Sequence, residues 1–206
     1  ALTALQALRD ELKVGPGQRV FISGGAGGVG TFAIQIAKQL GAHVTTTASS
    51  RGEALVRSLG ADEVIDYTAD DLSSLGREFD AGLDLVGGET LERMFHLVKR
   101  GAKVVSVAAV PEPRTALQDL GGRVVLAGLF WIVSRGVRAK ARAAGVDYRY
   151  MFMRPSGRDL AQLAEWIEAG RIQVVLDRTY PFSQIAEAFA YLETGRAKGK
   201  VVVSMG

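Results

Sequence analysis

Cysteine is absent from the 206 residues. The chain therefore has no disulfide, no thiolate nucleophile and no Cys-based zinc or iron–sulfur site. Histidine is almost absent: His43 and His96 are the only two, too few and too far apart in sequence to suggest a metal site. No Lys/Arg run accompanies the net charge of +3, which argues against a nucleic-acid partner. The longest apolar stretch, near residues 124–133, is about half the length of a membrane span. No basic, apolar, small-residue leader opens the chain, so a cytoplasmic address is the expectation.

What is present points to a globular protein. Hydrophobic residues make up 48% and charged residues 23%, which excludes a disordered chain. The length suits a single large domain, not two. Glycine is frequent at 25 residues, against 5 proline, so tight turns and close backbone approaches are expected.

Short β-branched runs alternate with helical stretches. Strands are expected at 19–23, 43–48, 63–66, 81–86, 103–107 and 147–153, with a last one at 200–204. Helices are expected at 29–40, 53–59, 89–99, 124–142, 158–169 and 183–193, several of them closed by Gly. Strand, crossover and strand at this spacing predict an α/β fold. Its form is a Rossmann-type, doubly wound, mainly parallel six-stranded sheet with helices on both faces. The helix at 124–142 has an apolar first half and a basic second half (Arg135, Arg138, Lys140, Arg142). The basic half suits a helix C-terminus; a membrane- or partner-facing role is the alternative.

The sharpest motif is Gly25-Ala26-Gly27-Gly28-Val29-Gly30, a G-x-G-x-x-G between a strand and a helix. One glycine permits the turn, one admits a pyrophosphate and one lets the helix pack against the strand. A purely structural glycine turn would read the same way. A P-loop is disfavoured, because Thr31 and not Lys follows Gly30. An NAD site places an acid at the end of the second strand, for the ribose 2′-hydroxyl. Here that position reads Ser49-Ser50-Arg51. Two hydroxyls and a guanidinium suit a 2′-phosphate, which makes NADP(H) the expected cofactor; a solvated Arg51 is the alternative. Tyr67 could reach the same phosphate or be a plain half-buried aromatic. Val86 and Gly87, with Gly88, follow the fourth strand at the ligand-binding end of a parallel sheet.

With these motifs placed, the chain resembles the medium-chain dehydrogenase/reductase superfamily, in its zinc-independent quinone oxidoreductase branch. The carriers include Leu2-Thr3-Ala4-Leu5-Gln6, Gly25 to Gly30 followed by Thr31-Phe32-Ala33, Val64-Ile65-Asp66-Tyr67, Asp84-Leu85-Val86-Gly87-Gly88, Phe152-Met153-Arg154-Pro155 and Gly199-Lys200-Val201. The resemblance covers essentially the whole chain. It implies that residues 1–206 form the dinucleotide-binding domain, and that 171–206 would contact a GroES-like domain this chain lacks. It implies that Thr3 lies near the nicotinamide and that Gly28 and Val29 bind the pyrophosphate. Ser49, Ser50, Arg51 and Tyr67 would surround the 2′-phosphate, and Val86 and Gly87 would approach the adenosine side or the nicotinamide ribose. Phe152 and Met153 would offer main-chain contacts to the carboxamide, and Lys200 would close the site. The implied reaction is hydride transfer from NADPH to a quinone or an α,β-unsaturated carbonyl, with no catalytic side chain in this part. Zinc-dependent relatives place a ligand just ahead of the position matched to Thr3, outside this chain.

The pattern counts strongly against a short-chain dehydrogenase, since none of the five Tyr has Lys four residues later. A non-catalytic NADP(H)-binding, redox-sensing module stays open. A homodimer is expected through the sheet edge near 147–153, where Tyr148, Tyr150 and Phe152 would otherwise leave a sticky strand.

Overall fold

The computed structural model describes every residue except Asp71, Ser73, Ser74 and Gly206. Six strands form one parallel sheet: β1 (Arg19–Ile22), β2 (His43–Ala48), β3 (Glu63–Asp66), β4 (Phe79–Asp84), β5 (Val98–Ser106) and β6 (Asp147–Tyr150). Their order is β3-β2-β1-β4-β5-β6. The chain winds outward from β1 to β3, then crosses to β4 and winds out to β6. The order reverses between β1 and β4, and that is where a parallel α/β sheet opens a crevice.

Alternation along the strands divides the core between the two faces. Val20, Ile22 and Val105 join one cluster with Phe32, Ile34 and Ile36 of α2 (Gly30–Gln39). Phe21 and Val104 join the other, with Met94 and Phe95 of α4 (Gly88–Leu97) and Ala141 and Ala144 of α6 (Arg135–Ala144). Both faces are therefore covered by helices, as expected for a parallel sheet.

Several boundaries differ from the sequence expectation. Residues 124–142 form two helices, α5 (Val124–Val133) and α6, not one. The break is at buried Ser134, whose hydroxyl and N–H both donate to the Phe130 carbonyl. Such back-bonding bends a helix. The expected strand at 147–153 ends at Tyr150, and residues 151–156 form a loop. The N-terminus adds a short helix α1 (Leu2–Leu5) and a π-helical stretch (Gln6–Glu11), neither anticipated. So does β7 (Leu176–Pro181), which pairs in parallel with β8 (Lys200–Ser204) as a separate two-stranded sheet. Between them lies α8 (Ile185–Glu193). β7 carries Asp177, Arg178 and a terminal Pro181, and it is held as a strand by the Val201–Val203 run of its partner.

The β6 edge is not the open strand that the sequence suggested. Arg114 Nη2 donates to the Tyr148 carbonyl and Thr115 Oγ1 to the Tyr150 carbonyl, at 2.8 Å for the latter. Tyr148 and Tyr150 themselves are buried. Side chains of Arg114 and Thr115 thus occupy two of the carbonyls that strand pairing would need.

Candidate functional site

Parallel strands end together, so every motif loop opens on one sheet edge. The glycine loop follows β1. Gly25 N–H bonds to the Thr47 carbonyl at 3.0 Å and Gly24 N–H to Thr47 Oγ1 at 2.9 Å, tying the loop to β2. A Cβ on Gly30 would lie 2.3 Å from the Gly24 carbonyl oxygen, so only glycine lets α2 start this close to β1. A Cβ on Gly28 would lie 2.9 Å from the Gly199 carbonyl oxygen and 3.2 Å from Lys200 Nζ. Gly28 thus lets the Gly199 backbone and the Lys200 side chain pack directly on the loop, which sets a cation beside it. Among the described residues, neither the Gly28 nor the Val29 N–H has a protein hydrogen-bond partner. Two spare donors at the start of a helix, with Lys200 beside them, suit a pyrophosphate.

The C-terminal segment holds Lys200 there. Gly199 N–H donates to the Ala26 carbonyl at 3.0 Å and Lys200 N–H to the Val175 carbonyl at 2.8 Å. Gln35 and Gln173 exchange two hydrogen bonds, of 3.0 and 2.7 Å, and dock the same segment on α2.

Ser49 does not end a strand but caps α3 (Ser50–Ser58), and its hydroxyl makes no cap bond. Ser50 and Arg51 are the first helical residues, so their side chains stand at the helix N-terminus. Tyr67 is 61% exposed, and its N–H meets the Ala48 carbonyl at 3.4 Å, which brings it beside Ser49. A second cation comes from Lys198, whose Nζ donates to the Arg51 carbonyl at 2.5 Å. One anion opposes them. The Thr68 hydroxyl and N–H, with the Ser50 N–H, hold the Asp66 carboxyl below the usual carboxylate range.

Val86 and Gly87 are placed by Asp84, which is fully buried at the end of β4. Its carboxylate accepts from Ser23 Oγ (3.0 Å), Ser106 Oγ (2.6 Å) and the N–H groups of Val86 (3.2 Å) and Gly87 (2.9 Å). It thereby fastens the ends of β1, β4 and β5 to one another. Gly87 has φ +79°, and a Cβ there would lie 2.7 Å from the Ala108 carbonyl oxygen. Val86 stands out at 53% exposure, and its Cγ2 lies 3.1 Å from where a Gly24 Cβ would be.

Phe152 and Met153 follow β6 on the same edge, partly exposed. Thr3 lies in α1, one turn before Gln6, which hydrogen-bonds to both the N–H and the carbonyl of Arg154. The structure thus assembles the motif residues into one continuous rim, in two groups. Gly25 to Gly30, Ser49 to Arg51, Tyr67, Val86, Gly87 and Lys200 line its centre and one end; Thr3, Phe152 and Met153 share the other end. Sequence reasoning did not single out Lys198, Asp84, Asp119 or Gln6. Of these, Asp84 carried a readable signal: an acid inside an apolar strand, just before Gly87-Gly88.

No zinc site fits. Among the described residues, no group of three His, Cys, Asp or Glu could hold a metal ion. Nor is any helix among them long and apolar enough to cross a membrane.

Comparison with known proteins agrees with this geometry. A family model described as zinc-binding dehydrogenase matches residues 59–203. The chain is 41% identical over 194 residues to the mitochondrial NAD(P)H oxidoreductase RTN4IP1 of Danio rerio, covering 91% of this chain and 49% of that protein. It is 34% identical over 191 residues to the chloroplastic NADPH-dependent alkenal/one oxidoreductase of Arabidopsis thaliana, covering 91% and 40%. The quinone oxidoreductase from Coxiella burnetii superposes with a TM-score of 0.84 at 30% identity, over 100% of this chain and 58% of that one. The chain spans about half the length of the relatives it matches. It belongs to the family described as zinc-binding dehydrogenase, within the medium-chain dehydrogenase/reductase superfamily, and forms the nucleotide-binding part of that architecture.

Proposed function

We propose that this chain is the NADP(H)-binding part of a reductase acting on quinones or α,β-unsaturated carbonyls. The observation that carries the reading is the pair of unpartnered N–H groups at Gly28 and Val29, at the start of α2, with the Lys200 ammonium beside Gly28. Preference for NADP(H) rests on Ser49, Ser50 and Arg51 at the start of α3, reinforced by Lys198. The dinucleotide, when bound, supplies a hydride to the quinone or to the β-carbon of the enone. The protein's part is to anchor phosphates at the α2 and α3 N-termini, to fix the nicotinamide end at the 151–154 loop, and to keep the rim rigid through Asp84. The names of the Arabidopsis alkenal/one oxidoreductase and the Coxiella quinone oxidoreductase support the substrate class.

The β7–α8–β8 unit exposes Phe182, Phe189, Leu192 and Leu176, an apolar surface suited to contact with a GroES-like domain. A homodimer would use exposed α5, which flanks the covered β6 edge, in place of strand pairing. The cytoplasmic address is tested by imaging the complete gene product, against the mitochondrial and chloroplastic addresses of the relatives.

The decisive assay follows NADPH consumption by the complete enzyme with a 2-alkenal and with a simple quinone. Substrate-dependent oxidation supports the reading. NADPH binding without oxidation of either class would favour the redox-sensing alternative.

A further inference from the structure

The loop after β6 is held by side chains from two distant segments. On one side, Asp119 Oδ2 accepts the Phe152 N–H at 3.1 Å, while Asp119 Oδ1 pairs with Arg149 Nη2 at 2.6 Å. Both side chains are almost fully buried, at 3% and 2% exposure. On the other side, Gln6 brackets Arg154. Its Nε2 donates to the Arg154 carbonyl at 2.9 Å and its Oε1 accepts the Arg154 N–H at 3.0 Å. This two-point contact fixes both the amide and the backbone. Gln6 is itself buried, and Nε2 also donates to Asp159 at 3.2 Å, which Arg9 holds at 2.9 Å.

The two anchors leave a gap between them. Among the described residues, the Phe152 carbonyl and the N–H and carbonyl of Met153 have no protein partner. One donor and two acceptors thus sit on a backbone pinned at each end. A primary carboxamide needs the same complement: a donor for its oxygen and acceptors for its N–H groups. A pinned backbone makes those bonds without first being ordered.

We propose that Asp119 and Gln6 are positioning residues: they clamp Phe152–Arg154 as a preformed seat for the nicotinamide carboxamide and so set the orientation of the ring. The proposal rests on the nucleotide-binding reading above. It gives buried Arg149 a purpose, since the guanidinium holds the Asp119 carboxylate on its line to Phe152. It also ties the segment that covers the β6 edge to the cofactor.

The test compares two ligands: NADPH, and 2′-phospho-ADP-ribose, the same molecule without nicotinamide. Dissociation constants are measured for the complete wild-type enzyme and for Asp119→Ala, Gln6→Leu and Asp119→Asn. Asp119→Ala still leaves Arg149 facing Glu112 at 3.5 Å and Glu11 at 3.6 Å, so its charge is not stranded. Asp119→Ala and Gln6→Leu are expected to weaken NADPH about tenfold, the scale of one lost hydrogen-bonding anchor. Affinity for 2′-phospho-ADP-ribose is expected to stay unchanged. Asp119→Asn keeps an amide oxygen for the Phe152 N–H and is expected to recover most of the loss. A merely structural role would weaken both ligands together or neither, and either result overturns the clamp. A wild type that binds both ligands equally would overturn the placement of the nicotinamide at this loop, and the clamp with it.

Discussion

Asp84 shows how one buried charge sets the geometry of a binding rim. No cation pairs with it among the described residues; hydroxyls of Ser23 and Ser106 and the amides of Val86 and Gly87 satisfy it instead. Removing the carboxylate strands those donors in a dry interior. Asp84→Ala is therefore expected to cost on the order of 2–4 kcal/mol, read as a lowered urea midpoint, and to weaken nucleotide binding as Gly87 loosens. Gly30→Ala should be worse for binding, because a methyl 2.3 Å from the Gly24 carbonyl must push α2 off β1. Arg51 is different: it lies at the surface. Arg51→Ala is expected to weaken NADPH by about 1.5–3 kcal/mol, the scale of hydrogen bonds to a charged group, and to leave NADH unchanged. Calorimetric titration of both dinucleotides checks this. At this scale the glycine loop was readable, because Gly30 answers a steric demand from Gly24 and Gly25, local in sequence. Asp119 and Gln6 were not, because their partners lie 33 and 148 residues away.

Helix α7 (Gly157–Glu168) docks on the N-terminal segment through Asp159. The Arg9 guanidinium, the Gln6 amide and the Ser156 hydroxyl hold its carboxyl at about 2, against an ordinary 3.8. A carboxylate with a depressed folded-state pKa stabilises the fold above its unfolded value. That contribution is complete above about pH 4 and is lost as the pH falls toward about 2. Urea midpoints of wild type and Asp159→Asn should therefore differ at neutral pH and converge near pH 2. Most elements were readable from periodicity; β2, β3 and β8 match to the residue. The misses have physical causes. A buried serine divides α5 from α6, and β7 is a strand only because β8 lies beside it. Helix α5 exposes Val124, Val125, Leu129, Trp131 and Ile132, so its apolar character was visible in the sequence while its lack of cover was not. If α5 joins two copies of the chain, Val125→Asp with Trp131→Asp should convert a dimer to a monomer in light scattering, with little change in thermal stability.

At the scale of the whole molecule, the order β3-β2-β1-β4-β5-β6 places all six parallel strand ends on one rim. Residues from both ends of the chain then close that rim: Gln6 at Arg154 and Gly199-Lys200 over the glycine loop. Nothing in local periodicity announces this closure; it follows from the docking of β8 against residue 175 and of the N-terminal segment against α7. We propose this rim as a dinucleotide site tuned for a 2′-phosphate. The most direct measurement is a titration with NADPH and with NADH, followed by nicotinamide fluorescence. The structure predicts that NADPH binds at least tenfold tighter, about 1.4 kcal/mol. Equal affinities, or tighter NADH, would contradict the assignment of Ser49, Ser50, Arg51 and Lys198 to the phosphate.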